Sequence, residues 1–277
     1  MAGDAAWRFG DDTGVTVEVG RRPERVVTYL RAGASLWDLG VTPAAVYGSG
    51  HDGREVDPVK AGRIAGGQVP YVGPGGDLDA EWFAAERPDL IVDVTYDGKG
   101  TYAIDSDAAR RFGVPVVALA VGGGAPLRTI LDRFAELAAA LGAAPRDPDG
   151  ERSLDAAERE LRELAGKRPA RVLALSGADA EQVYLARPET WPDLHRLTEL
   201  GLNVLDPEPD AGRNWATTTW AAAAELRPDV VLYDSRRHAA AVPDATARTR
   251  LPWNPEEPCS PVAYAAFLRR VAAALAG

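Results

Sequence analysis

The sequence predicts an α/β protein made of two lobes, each built on a parallel sheet, with Rossmann-like alternation of strands and helices. Three observations carry this. Short β-branched runs alternate with helical stretches throughout the 277 residues, the pattern of parallel strands joined by crossover helices. One phrase occurs twice, as AAERPDLIVD at 84–93 and AAELRPDVVLYD at 223–234. The units around that phrase also follow the same order in both halves.

In the first half, RVVTYL (25–30) reads as a buried strand. A helix follows and stops at LGV (39–41), where Gly40 supplies the left-handed cap. AAVYG (44–48) is a short strand, DAEWFAAE a helix, DLIVDV (89–94) a strand and FGVPVVALA (112–120) another. Pro88 marks the end of the helix before DLIVDV. In the second half, RVLALS (171–176) is a strand, a helix stops at LGL (200–202), and NVL (203–205) and DVVLYD (229–234) are strands. There the repeat is expected to end early, with PWNPEEP in place of a last full strand. Between the halves, APLRTILDRFAELAAALG carries the apolar stripe Leu127, Ile130, Leu131, Phe134, Leu137, Ala138 and Leu141. It is expected to be a rod of about 24 Å linking the lobes. The boundaries are then 1–124 for the first lobe, 125–142 for the linking helix and 143–277 for the second lobe. Residues 151–165 are expected to form a charged, solvent-facing helix.

Composition narrows the function. A net charge of −10 argues against nucleic acid, whose phosphates need a basic face. No apolar run reaches the ~18 residues of a membrane span. The single cysteine, Cys259, allows no intrachain disulfide. The start, MAGDAAWRFGDD, has no signal-peptide pattern, so the expectation is either a cytoplasmic chain or one whose signal is absent from this sequence. The Gly-rich stretches VGPGGD (72–77) and VGGGA (121–125) are turns, since neither has phosphate-loop spacing. No GxSxG and no readable Ser/His/Asp arrangement points to catalysis. Of His51, His195 and His238, two follow strand ends, so a cleft metal site with a carboxylate is conceivable, against the plainer reading of each as a surface histidine.

Parallel sheets bind ligands beyond the carboxyl ends of their strands. Arg31, Tyr47 and Tyr96 occupy such places in the first half, with His51 and Lys99 nearby. Arg187, Trp191, Arg236 and Arg237 follow strands in the second half, and Trp215 and Trp220 lie between strands. Aromatic area with forked donors suits a flat ligand rich in acceptor oxygens. Each residue has a plainer use: an arginine in a surface ion pair, Tyr47 as sheet filling, Trp215 and Trp220 as core, Trp253 closing the second lobe.

PERVVTYLRAGASLWDLGVTPAAVYG, ERPDLIVDVTYDG, ILDRFAELAAALG, YLARPETWPDLHRLTELGLNVLDPE, ELRPDVVLYDSR and PWNPEEPCSPVAYAAFLRRVAAAL occur in that order. Together they resemble the helical-backbone (class III) substrate-binding proteins of ABC importers, especially ferric-siderophore binders. The resemblance implies two lobes joined by one rigid helix, with the ligand in a cleft between them. It implies a non-enzymatic receptor for a ferric hydroxamate, catecholate or mixed siderophore, with iron present only within the chelate and no other cofactor. It also implies an ABC permease as partner, a monomer, and an extracytoplasmic lipoprotein in native form. Family members carry a permease-docking Glu on each lobe; Glu81 matches the first, whereas the second position holds Ala221, with Glu199 and Glu225 nearby. That departure, the short tail and the absent lipobox sustain an alternative: a cytoplasmic homologue that acts on or stores a small molecule.

Overall fold

The computed structural model describes residues 6–64, 67, 69–207, 212–243 and 246–276. It divides into two compact units: residues up to Pro148 with Glu256–Ser260, and Asp149–Pro255 with Pro261 onward.

The first unit contains β1 (Trp7–Gly10), β2 (Thr16–Val19), β3 (Val26–Tyr29), α1 (Leu30–Asp38), β4 (Ala45–Gly48), α2 (Pro58–Ala61) and β5 (Tyr71–Pro74). It continues with α3 (Ala80–Glu86), β6 (Leu90–Thr95), α4 (Ser106–Phe112), β7 (Val116–Ala120) and α5 (Leu127–Ala140). Its main sheet has the order β5-β4-β3-β6-β7, every pair parallel, so all carboxyl ends share one edge. β1 and β2 form a separate antiparallel hairpin. Gly40 stops α1 at φ +97°, and a Cβ there would collide with the Ala144 carbonyl, so only glycine fits.

The second unit contains α6 (Gly150–Lys167), β8 (Arg171–Gly177), β9 (Gln182–Ala186), α7 (Pro192–Glu199), β10 (Asn203–Val204) and β11 (Trp215–Thr219). It ends with α8 (Trp220–Glu225), β12 (Val230–Asp234), β13 (Thr249–Trp253) and α9 (Pro261–Ala276). The sheet order is β11-β9-β8-β12-β13, with β10 also on β8. This sheet is mixed rather than wholly parallel, because β9 runs antiparallel to both neighbours. Only residues 178–181 separate β8 from β9, which suffices for a hairpin and is far too short for a parallel crossover.

The repeated phrase has one structural job, performed twice. Arg87 and Arg227 take φ +49° and +46°, the only positive-φ non-glycine residues among those described. Each turns the chain out of its helix, and the following aspartate then grips the start of the central strand. Asp89 accepts from the Glu24 and Arg25 amides, and Asp229 accepts from the Arg171 amide at 2.8 Å. The side chains of Arg25 and Arg171 return the contact to the helix ends, donating to the Glu86 and Leu226 carbonyls.

Five features differ from expectation. The α5 stripe is buried inside the first unit, and Arg133 ties that helix to Asp12 and the Gly10 carbonyl of the hairpin. The chain enters the second unit only at Asp149, where the 18-residue α6 begins. That helix is not solvent-facing all round, because Leu154, Ala157, Glu158 and Leu161 lie on one face and are buried. The second sheet is not cut short: TRLPW forms β13, parallel to β12, and Pro252 is tolerated because this is an edge strand. Finally, Glu256–Ser260 leave the second unit and pack in the first.

Candidate functional site

At the carboxyl edge of the first sheet, the short passage from β3 to α1 delivers Arg31, and the loop after β6 delivers Tyr96 and Tyr102. Arg31 is 2% exposed; it donates to the Tyr96 hydroxyl at 3.3 Å and to the Glu257 carbonyl at 3.1 Å. Tyr96 meets Tyr102 edge-on at 4.8 Å, and Tyr102 meets Tyr29 at 5.6 Å. Tyr29 donates to Glu256, which closes a ring of contacts from residues 256–257 through three tyrosines and Arg31. Tyr96 and Tyr102 reach solvent, while Arg31 backs them from below.

Beneath this ring lies a buried ionic group. Lys60, 0% exposed, bridges Asp52 at 2.6 Å and Glu256 at 3.3 Å, with the Tyr29 ring 5.3 Å away. Burial and the neighbouring Glu256 carboxylate push the Tyr29 phenol well above its ordinary range. Tyr47, expected to meet ligand, is fully buried and donates to Asp93 at 3.1 Å. It stands on a strand covered on both faces, so it fills the sheet core instead. Asp93 is pushed up to about 6 by burial, against four donors: the Val94, Ala103 and Ile104 amides and Tyr47.

In the second unit, alternation along the strands sets Trp215, Ala186, Ala174, Ser176, Asp234 and Trp253 on one sheet face. The small Ala174 and Ala186 leave room for indole rings. Trp191 packs against Trp215 at 5.0 Å and Trp253 at 5.7 Å, and Trp253 donates to Asp193 at 2.5 Å. Trp191 and Trp253 are buried, so Trp191 is a packing residue rather than a ligand surface. Trp215 and Tyr184 carry the exposed end of this aromatic run. Trp220 packs on the opposite core, among Leu173, Leu175 and Val231.

The two arginine groups sit at different levels. Because β9 runs backward, Arg187 follows its carboxyl end away from the edge where β8 and β12 finish. Arg187 donates to the Gly212 carbonyl at 2.8 Å. Arg236 does follow β12 at that edge; its guanidinium forks onto Asp234 at 2.7–3.2 Å and its side chain is 10% exposed. With Tyr233, Arg250 and Pro252 it lines a concavity of about 590 Å³. Arg237 and His238 are exposed. A larger hollow in the first unit, about 870 Å³ beside Tyr71 and Trp82, holds none of the residues expected from the sequence.

Glu81 is exposed in the first turn of α3, and Ala221 is exposed at the matching turn of α8. Asp79 caps the first helix by accepting from the Glu81 amide, and Thr219 caps the second by accepting from the Ala222 amide. Glu199, on α7, is engaged by Arg196 at 2.7 Å. Among the described residues, no group of three or more His, Cys, Asp or Glu could hold a metal. Lys60, Glu256 and Tyr102 are not evident from the sequence, having no local pattern. Asp93 does leave a signal: it is an acid inside an apolar strand run.

A parallel sheet, a mixed sheet and polar clusters at strand ends define a two-unit α/β substrate-binding architecture. The periplasmic binding protein family model matches residues 26–251, and the chain belongs to that family. Its fold is similar to that of DesE, a ferric-siderophore receptor protein from Streptomyces coelicolor, with 25% identity, a TM-score of 0.85 and 97% of each chain covered. It is also similar to the siderophore periplasmic binding protein from the fuscachelin gene cluster of Thermobifida fusca, with 16% identity, a TM-score of 0.64 and 92% and 98% covered. The heme binding protein HmuT shares the fold at 16% identity and a TM-score of 0.66, with 99% and 91% covered. Comparison with curated proteins finds no match. The family and these neighbours are substrate-binding proteins, not enzymes. No helix among the described residues is long and apolar enough to cross a membrane.

Proposed function

We propose that the protein is a receptor that binds a ferric siderophore and hands it to an ABC importer, working outside the cytoplasm as a monomer anchored in native form by a lipid. The observation that carries this is likeness to DesE across 97% of both chains at 25% identity. The aromatic and cationic residues that reach solvent support it. Tyr96, Tyr102 and Trp215 offer flat surface, and Arg236 and Arg237 offer donors for chelate oxygens, whereas Arg187 lies away from their edge. Glu81 is the proposed permease contact on the first unit, and Ala221 leaves the matching turn without one.

The test is titration with ferric hydroxamates and catecholates, followed by quenching of the seven tryptophans. Saturable quenching at submicromolar concentration is expected; an unchanged signal across a broad panel counts against the proposal. In the same assay, Arg236→Ala should weaken binding about ten- to a hundredfold, since a charge-assisted hydrogen bond contributes roughly 1.5–3 kcal/mol. Arg159→Ala, at an exposed position on α6, should leave affinity as it was.

A further inference from the structure

Prolines stand at every third position of PWNPEEPCSP, as Pro252, Pro255, Pro258 and Pro261. Each fixes its own φ and restricts the residue before it, so the segment bends little by itself. Glu256–Ser260, the stretch of it that packs in the first unit, is fastened at two places. Near its start, Glu256 meets Lys60 at 3.3 Å and accepts from the Tyr29 hydroxyl. Near its end, the Cys259 amide donates to the Ser35 hydroxyl and the Ser260 hydroxyl donates to Asp38, each at 2.6 Å. Between them, Pro258 lies against Gly62, where an added Cβ would stand 3.0 Å from the proline ring.

The first fastening leads on to the surface. The Glu257 carbonyl accepts from Arg31 at 3.1 Å, and Arg31 donates to the Tyr96 hydroxyl at 3.3 Å. Arg31 is buried, whereas Tyr96 reaches solvent. A guanidinium is a rigid planar fork, so moving the carbonyl on one nitrogen re-aims the other. The place of Glu256 is therefore carried along one stiff dipeptide to the Tyr96 hydroxyl. We propose that Glu256 is a positioning residue for ligand binding: buried and touching no ligand itself, it sets the Glu257 carbonyl, which sets Arg31, which aims Tyr96. This rests on the ferric-chelate reading above and adds a residue to it.

The test measures Kd by tryptophan quenching on the whole protein, with a ferric trihydroxamate and, in parallel, a ferric triscatecholate. For a chelate that the natural sequence binds, Glu256→Gln should raise Kd about tenfold, the weight of one hydrogen bond to a charged group. Lys60 keeps Asp52 in that variant, and the side-chain shape is unchanged. Tyr29→Phe, which removes one tie to Glu256 and keeps the ring, should raise Kd about threefold, as for a single hydrogen bond. In a Tyr96→Phe background both effects should shrink to less than about twofold, because residues that act through one another are not additive. Ser260→Ala, at the far fastening, should lower Tm and leave Kd as it was. An unchanged Kd in Glu256→Gln overturns the proposal, and Tyr29→Phe decides in its place if that variant does not fold. Full additivity with Tyr96→Phe also overturns it, since the segment then supports the fold and not the hydroxyl. If neither chelate quenches the natural sequence, the ferric-chelate reading falls and this inference with it; binding without coupling removes this inference alone.

Discussion

Lys60→Met is expected to lower the unfolding free energy by about 3–5 kcal/mol, the usual penalty for leaving a buried charge without its partner. Lys60 lies between Asp52 and Glu256, and its side chain has no exposure. Asp52 retains the Ser49 amide and hydroxyl, and Glu256 retains Tyr29, but the cation shared by the two carboxylates is gone. Methionine fills similar volume, so the loss measures charge rather than a cavity. Chemical denaturation of the variant checks the magnitude. Adding Asp52→Asn and Glu256→Gln should recover most of the stability, because the stranded charges are then gone. A loss below about 1 kcal/mol, within the range of an exposed pair, would show that the group is not held as an ion pair in the interior.

The second large effect is a dependence on pH set by Asp93. Its carboxyl is raised to about 6 in the folded protein by complete burial, against about 3.9 for a free aspartate. Below the lower value the group is protonated in both states and stability is unaffected. Between them, only the folded state holds the proton, so stability falls as pH rises from about 4 to about 6 and stays lower above that. The full change is about 3 kcal/mol, from roughly two pH units at 1.36 kcal/mol each. The stability of the natural sequence minus that of Asp93→Asn, measured across this range, isolates the group. A difference that moves the other way would mean that the four donors to Asp93 outweigh its desolvation.

Much of the fold was legible because it is written locally. The Arg-Pro-Asp phrases announced a helix end and a strand start, and both do that work with the same backbone turn. Gly40 and the LGL stretch at 200–202 marked helix stops, and Gly40 and Gly201 take positive φ. Glu81 and Ala221, the positions matched through the family resemblance, both fall in the first turn of a helix and are exposed. The alternation of β-branched runs with helices located the strands, because burial of both faces of a central strand demands such runs.

What the sequence alone determined, then, is the series of strands, helices and stops, since these follow from conformational preference and periodicity over a few residues. Which strands run backward, and which polar residues meet, only the tertiary structure decided. β9 reads as another strand, yet a four-residue connection reverses it and carries Arg187 away from the edge reached by Arg236. Tyr47 and Trp191 have the composition of ligand surface, but the neighbouring strand and the facing indoles bury them. The α5 stripe looked suited to a link between lobes, but an apolar stripe cannot say which surface it will cover. Lys60 and Glu256 lie 196 residues apart and carry no motif. Their pairing exists because the segment after Trp253 returns to the first unit, and a charge out of water is stable only where folding brings its counterpart within reach.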